Sequence, residues 1–313
     1  MGANISGAMV DRDEGGSPLQ PRLGDIPESC AALVLAMLDP PEICKLARVN
    51  RSFHGASSAD FIWESKLPSN YIFIVEKVLR DTTLLNLQKK QLYAGLCRPN
   101  PFDVGRKEIW LDKNTGGVCL SISSKALTIT GIDDRRYWTH ISTEESRCIC
   151  VYHSILGSWK SLNLIDLVCI NADILDSSIP TANLVVPSGW RGRVWIPVGT
   201  YSLFFRLKLG KSSKRLGRRV CNSKHIHGWE VKPVRFQLTT SEGQSVESRC
   251  YLDNPGNWVL YRVGNFVVQN PNAFTNIKFS LTQIDCTHTK GGLCVDAALI
   301  YPTTVAKEIR SCS

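Results

Sequence analysis

Two textures of hydrophobic patterning divide the chain. Over residues 23–67, "LGDIPESCAALVLAMLDPPEICKLARVNRSFHGASSADFIWESKL", apolar positions recur at helical spacing. Cys30, Leu33, Val34, Met37 and Leu38 stand at i, i+3, i+4, i+7 and i+8 and form one stripe. The spacing predicts a helix capped by Asp25, with Pro27 in its opening turn. Asp39-Pro40-Pro41-Glu42 ends that helix and opens a second, with Asp39 as N-cap and Glu42 placed for a capping box. Ile43, Leu46 and Ala47 continue the apolar face. A third helix is expected from about Ser58 to Leu67, carrying Ile62 and Trp63 and stopped by Pro68. Residues 71–97 also read as helical, with Leu85, Leu92 and Leu96 on one side.

From Glu108 onward, alternation with period two takes over. "KEIWLD", "GVCLSIS", "ALTITG", "TYSLFFRLKL", "VRFQLTT", "WVLYRVGNFVV", "IKFSLTQID" and "GLCVDAALIYP" are short runs rich in β-branched and aromatic residues, bounded by Gly, Asn and Asp. In "TYSLFFRLKL", Tyr201, Leu203, Phe205, Leu207 and Leu209 share one face. Closely spaced strands without intervening helices predict an antiparallel sandwich or barrel, so the fold class is α+β. No internal repeat is present. A helical unit of under about 50 residues lacks the area for a self-sufficient core, so the N-terminal stripe must lie against its own β-rich part or a partner.

Composition refines this. The chain has 313 residues, 43% hydrophobic and 21% charged, which is a globular rather than a disordered balance. The net charge of +9 permits nucleic acid, acidic proteins or anionic membranes without selecting among them. "MGANISGAMVDRDEGG" has no apolar core of a secretory signal, so the twelve cysteines are expected to stay reduced and to act as small buried hydrophobes. No apolar run reaches the length of a transmembrane helix. "MGANIS" fits the myristoylation pattern at Gly2, which on its own would give weak, reversible membrane association.

The residues of the N-terminal stretch resemble an F-box. Leu23, Ile26-Pro27, the Leu33–Leu38 helix, Pro40-Pro41, the Ile43–Val49 helix ending "RVNRSF", and the late Trp63 fall in that family's order and spacing. The resemblance implies docking on a Skp-type adaptor of a cullin–RING ubiquitin ligase. Leu23, Ile26, Pro27, Leu33, Leu38, Ile43, Leu46, Val49 and Phe53 would then meet the adaptor or support that surface. "ALTITGIDDRRYWTHI" followed by "ESR" resembles the phloem protein 2, or Nictaba-type, lectins, with further matches from Ile109 to Pro302. This implies a jelly-roll-like β-sandwich lectin that binds N-acetylglucosamine oligomers or N-glycan cores.

The chemistry of that loop suits a sugar, which needs an aromatic platform for its C–H face and polar groups for its hydroxyls. Trp138 supplies the ring, beside Asp133, Asp134, Arg135, Arg136 and Tyr137. The opposing expectation is that Trp138 plugs a sandwich edge. Asp134, Arg136, Trp138 and Asn265 are the candidate carbohydrate-binding residues. Three positions depart from the lectin pattern: Gly131 and His140 stand where tryptophans are usual, and Asn265 where a carboxylate is. The segment 151–189 matches nothing in the family and lacks clean alternation; if it stands in place of a central strand, an edge is poorly closed.

No phosphate loop, nucleophile elbow or H-E-x-x-H helix is present. Cys221, His225 and His227, and Cys286, His288 and Cys294, have zinc-ligand chemistry at spacings unlike paired knuckles, so no metal or cofactor is expected. The basic run Lys208, Lys211, Lys214, Arg215, Arg218 and Arg219 reads as a solvated hairpin in preference to a nucleic-acid site, because it lacks interleaved aromatics.

The expected layout is a tail (1–20), an F-box (21–67), a helical linker (68–107), a lectin domain (108–303) and a second tail (304–313). The expected role is a non-catalytic ligase receptor, cytoplasmic and nuclear, for glycoproteins or other targets. The alternative is a free-standing nucleocytoplasmic lectin with a vestigial F-box.

Overall fold

The computed structural model describes residues 23–130, 132–135, 138–141, 150–153, 167–173, 196–215, 218–222, 226–269, 275–284 and 290–309. A 3-10 turn at Leu23–Asp25 leads into α1 (Glu28–Ala36), α2 (Pro40–Leu46), α3 (Arg51–Ala56) and α4 (Asp60–Glu64). There follow α5 (Tyr71–Phe73), a π-helical turn at Ile74–Leu79, a 3-10 turn at Thr82–Asn86, and α6 (Lys89–Leu96).

The helix boundaries correct the expected caps. Pro27, not Asp25, precedes α1, and Asp25 lies in the 3-10 turn. Asp39 is the N-cap of α2, but its side chain makes no cap bond. Glu42 takes Lys45 at 2.6 Å instead of closing a capping box. The expected Ser58–Leu67 helix begins later, at Asp60, and ends earlier, at Glu64. Its predecessor α3 is a helix the pattern did not show. Asn50 Oδ1 caps it by accepting from Phe53 N at 2.9 Å.

Fifteen strands are present among the described residues: β1 (Asn100–Phe102), β2 (Lys107–Leu111), β3 (Val118–Ser123), β4 (Thr128–Ile129), β5 (Trp138–Ile141), β6 (Cys150–His153), β7 (Leu167–Asp173), β8 (Gly199–Leu209), β9 (Lys211–Arg215), β10 (Arg218–Asn222), β11 (Val234–Thr240), β12 (Ser245–Cys250), β13 (Trp258–Val268), β14 (Ile277–Ile284) and β15 (Leu293–Pro302). All their pairings are antiparallel. In the larger sheet β15 is central. On one side it pairs with β8, and β8 with β13. On the other side its C-terminal half pairs with β3, followed by β2 and β1, while its N-terminal half pairs with β6, followed by β5. The second sheet runs β12-β11-β14-β7-β4.

Aromatic contacts join the two sheets. Phe205 of β8 lies 5.8 Å from Phe236 of β11 and 5.6 Å from Phe279 of β14. In β11, Val234, Phe236 and Leu238 are buried while Arg235 and Thr239 are exposed, the alternation expected of a strand with one solvated face. In β8, burial on the Leu203–Phe205–Leu207 face matches the alternation, but Phe204 and Lys208 on the other face are buried too. Lys208 therefore does not belong to the solvated basic run; the rest forms the β9–β10 hairpin.

Two further segments take regular structure. The segment 151–189 contributes most of β6 and all of β7, and β7 lies between β14 and β4, so that place in the sheet is filled. Residues 303–306, at the expected start of a tail, form α7 (Thr303–Ala306), with Ala306 packed against Phe204, Ala297 and Leu299.

The helices and sheets share one core. Trp63 of α4 donates through Nε1 to Ser57 O at 2.7 Å, and its ring lies 5.3 Å from that of Tyr93 in α6. Tyr93 in turn donates to the carbonyls of Asp112 and Lys113, each at 3.4 Å, just after β2. Gly116 completes the seam. Its φ is +69°, and a Cβ there would lie 2.5 Å from Lys66 O. No helix among the described residues is long and apolar enough to cross a membrane.

Candidate functional site

Two surface features have the character of binding sites, and the first is the outer face of α1. This helix is apolar nearly all round. It buries Ala31, Ala32 and Leu35 against α3 and α4, and turns its larger side chains outward. Leu33 is 64% exposed, Met37 86% and Val34 49%. An all-apolar helix is normally buried on every side, so the outer side lacks the cover its composition calls for. Leu23 and Val49 add to the exposed apolar surface, at 53% and 55%.

The approach to this face is fixed by hydrogen bonds. Ser52 Oγ donates to Ile26 O at 2.6 Å and Asn50 Nδ2 to Leu23 O at 3.4 Å, which holds the leading segment on α3. Lys66 Nζ donates to Ala36 O at 2.9 Å at the C-terminus of α1, where a cation favours the helix dipole.

The nine residues expected to meet or support an adaptor therefore sort by depth. Leu23, Pro27, Leu33 and Val49 are exposed, while Ile26, Leu38 and Leu46 are half-buried. Ile43 and Phe53 are buried, so they support this surface from beneath and cannot themselves be contacts. The chain's own core residues leave the stripe Leu33–Val34–Met37 on the outside, the reverse of the usual reading of an apolar stripe.

The second feature is a groove of about 450 Å³ where the edge strands β12 and β13 run side by side. A β-bulge between Arg262 and Gly264 opens it. Glycine is required there, because a Cβ at Gly264 would lie 2.5 Å from Val246 Cγ1. Val246, Ser248, Arg249, Arg262, Val263 and Asn265 line the groove. Asn265 Oδ1 accepts from the buried Ser202 Oγ at 2.7 Å and from Arg262 Nη2 at 2.7 Å. Ser248 Oγ donates to Val263 O at 2.9 Å and so occupies a carbonyl of the bulged edge. Farther along the edge the Gln244 carboxamide pairs with both backbone groups of Val267, at 2.7 and 2.8 Å, as a neighbouring strand would. On the outer side of β12, Glu247 is held by Arg235 at 2.6 Å and Arg249 at 2.9 Å. The Arg235 guanidinium, then that of Arg249, holds its carboxyl below the usual carboxylate range.

The structure does not assemble the expected carbohydrate-binding set. Trp138 is 2% exposed, with Nε1 donating to Thr130 O at 2.9 Å. A ring so enclosed offers no face to a sugar, and Trp138 takes the edge-plugging role. The backbone carbonyl of the half-buried Asp134 accepts from Trp138 N at 3.1 Å. Trp138 and Asn265 lie on β5 and β13, at opposite margins of the larger sheet. Four strand spacings separate them, about 19 Å, which is more than one sugar ring spans. Arg136 and Gly2 lie outside the described residues, as do the zinc candidates His225, Cys286 and His288 and the side chain of Cys221. Cys294 is buried, with its thiol directed at Gly210 O at 3.7 Å. Among the described residues no three His, Cys, Asp or Glu side chains converge in a way that could hold a metal ion. Arg249, Arg262, Ser202 and Ser248 were not singled out in the sequence; the glycine interrupting the alternation of "YRVGNFVV" was the only trace of the bulge that gathers them.

Comparison with known proteins bears on both features. The model of the family described as phloem protein 2 matches residues 181–302. The chain is 56% identical to the Arabidopsis thaliana protein named F-box protein PP2-A13, with 99% of each chain covered. It is 49% identical to F-box protein PP2-A12 of the same plant, over 93% of this chain and 91% of that one. To F-box protein PP2-A11 it is 47% identical, with 96% and 94% covered. A match of this extent, running through the N-terminal helices and both sheets, makes the chain a member of the plant F-box proteins that carry a phloem protein 2-like domain.

Proposed function

We propose that this chain is the substrate-recognition subunit of an SCF-type cullin–RING ubiquitin ligase. The helices within 21–67 act as the F-box and dock on a Skp-type adaptor. The β-domain over 108–303, a sandwich of jelly-roll type, selects the protein to be modified. The chain bridges two proteins and carries out no covalent chemistry itself. It works in the cytoplasm and nucleus. The observation that carries this reading is the uncovered outer face of α1, with Leu33 and Met37 among its most exposed side chains. Apolar area of this kind on a folded protein marks a place where another protein sits. The free-standing lectin alternative leaves that face without a purpose.

The target-selecting part is a carbohydrate-binding domain in this reading, with N-acetylglucosamine or N-glycan cores on target proteins as ligand. Asn265, exposed on β13, and Asp134 are its candidate contacts; Trp138 is not among them. Co-purification of the full chain with a Skp-type adaptor and cullin tests the first part, and its absence would refute it. A glycan array probed with the chain and with Asn265→Ala tests the second. Retention unaffected by that substitution would remove Asn265 from any sugar site.

A further inference from the structure

We propose that the groove between β12 and β13 binds an acidic segment of a target polypeptide, through a glutamate or aspartate side chain inserted beside Arg262 and Asn265. The proposal rests on the reading that the β-domain selects targets, and at this groove, Asn265 included, it puts an acidic side chain in place of the glycan.

The argument begins with the orientation of one carboxamide. Arg262 can only donate, so the Asn265 atom 2.7 Å from its guanidinium must be the carbonyl oxygen. That oxygen also accepts from Ser202, which is fully buried. With two donors already on it, Oδ1 has little left to offer a ligand. The Nδ2 amide has no partner among the described residues and can only donate. Arg262 commits one N–H to Asn265 and keeps the rest of its fork. Ser248 directs its hydroxyl proton at Val263 O. Ser248 has spent its one proton and Arg249 is paired with Glu247, so the donors left to a ligand among the lining residues are the Arg262 guanidinium and the Asn265 amide.

A guanidinium beside an amide donor recognises a group made of acceptors, and a carboxylate matches a guanidinium fork in both shape and charge. The nearby anion does not cancel this. Glu247 faces away from the groove and is paired there with Arg235 and Arg249, which leaves the Arg262 guanidinium as the charge at the groove. The half-buried Val246 supplies an apolar wall for the methylene stem of an acidic side chain. No aromatic ring is among the lining residues, so the groove lacks the platform that a neutral sugar would stack on. The setting also suits a peptide. Both strands are sheet edges, and the carbonyls nearest the groove are occupied by Ser248, which keeps neighbouring chains from pairing there indiscriminately.

The test uses the full chain and a fluorescein-labelled hexaglutamate peptide followed by fluorescence anisotropy, with hexaglutamine as control. Hexaglutamate is expected to bind, more weakly as salt is raised, and hexaglutamine is not. Arg262→Gln should weaken binding about tenfold, the loss of one charge-assisted hydrogen-bonded pair. Asn265→Asp, which is nearly isosteric, replaces the amide donor with a negative charge and should abolish it. Both sites are exposed, and unchanged thermal melts show that the variants fold. Equal binding of hexaglutamine, or no effect of either substitution, overturns the proposal. Displacement of hexaglutamate by neutral chitotriose returns the groove to a sugar and overturns it as well. The outer face of α1 is untouched by these variants, so their adaptor binding reports separately on the ligase reading.

Discussion

Replacing Leu33 with glutamate tests the docking face where it is most open to disproof. Leu33 exposes 64% of its surface in the free chain. Sealing a whole leucine contributes about 2 kcal/mol, so sealing the exposed part beneath an adaptor contributes about 1.3 kcal/mol. A carboxylate in the same place forfeits that gain and adds several kcal/mol of desolvation. Together these weaken adaptor binding by about two orders of magnitude or more. Folding should scarcely notice. Leu33 is outside the core, and glutamate has nearly leucine's helix propensity, so the cost to stability stays within about 0.5 kcal/mol. Ile43 gives the contrast, since it is fully buried. Ile43→Ala should cost about 2–5 kcal/mol of stability and impair binding only by loosening the fold. Titration calorimetry with a purified Skp-type adaptor, paired with thermal melts, separates the two effects. If Leu33→Glu binds like the parent chain, or melts as early as Ile43→Ala, the reasoning fails.

Trp138→Ala should destabilise the chain by about 3–5 kcal/mol, read from a denaturation midpoint, whereas Asn265→Ala should cost about 1–3 kcal/mol by orphaning the buried Ser202 hydroxyl. Gly116→Ala should destabilise the fold by about 1–3 kcal/mol, through both strain at φ +69° and collision with Lys66 O, and so lower the melting temperature. Cys30 and Cys44 are exposed and should react promptly with a disulfide reagent at mildly alkaline pH, while Cys97 and Cys119 should not. Burial pushes the Cys97 thiol up from 9.0 to about 11, and burial also raises that of Cys119. The neutral thiol is the form the fold prefers. Cys97 therefore contributes its full stability below pH 9.0, and that contribution is lost as pH rises through about 11. Urea midpoints across this window, compared with Cys97→Ala, check it: the difference between the two chains should shrink as pH rises.

The β-rich half was legible because alternation reports directly on a half-buried strand. Val234, Phe236 and Leu238 follow it residue by residue. In the helical part the pattern found α1 and left open whether its stripe meets the β-rich part or a partner. Leu33, Val34 and Met37 look like a core stripe because hydrophobicity does not distinguish a core from a docking face; only the packing of Ala31, Ala32 and Leu35 shows which side is in. α3 went unseen because six residues are too few to display a period, although Asn50 three residues before Phe53 was a cap waiting to be read. Trp138 reads equally as a sugar platform or an edge plug because residue types do not fix depth; strand pairing carries it inside. The groove was invisible because it depends on β12 and β13 meeting at a bulge, which a linear pattern does not encode.

The seam of Trp63, Tyr93 and Gly116 has a mechanical implication. Because α4, α6 and the turn after β2 interlock, the N-terminal helices cannot swing freely on the sheets, as beads on a flexible cord would. A protein held at the far end would be presented at one distance and one angle to whatever chemistry the adaptor brings, and only lysines within that narrow zone would be reachable. The choice of modification site would then be set by the stiffness of the bridge as well as by what the bridge grips.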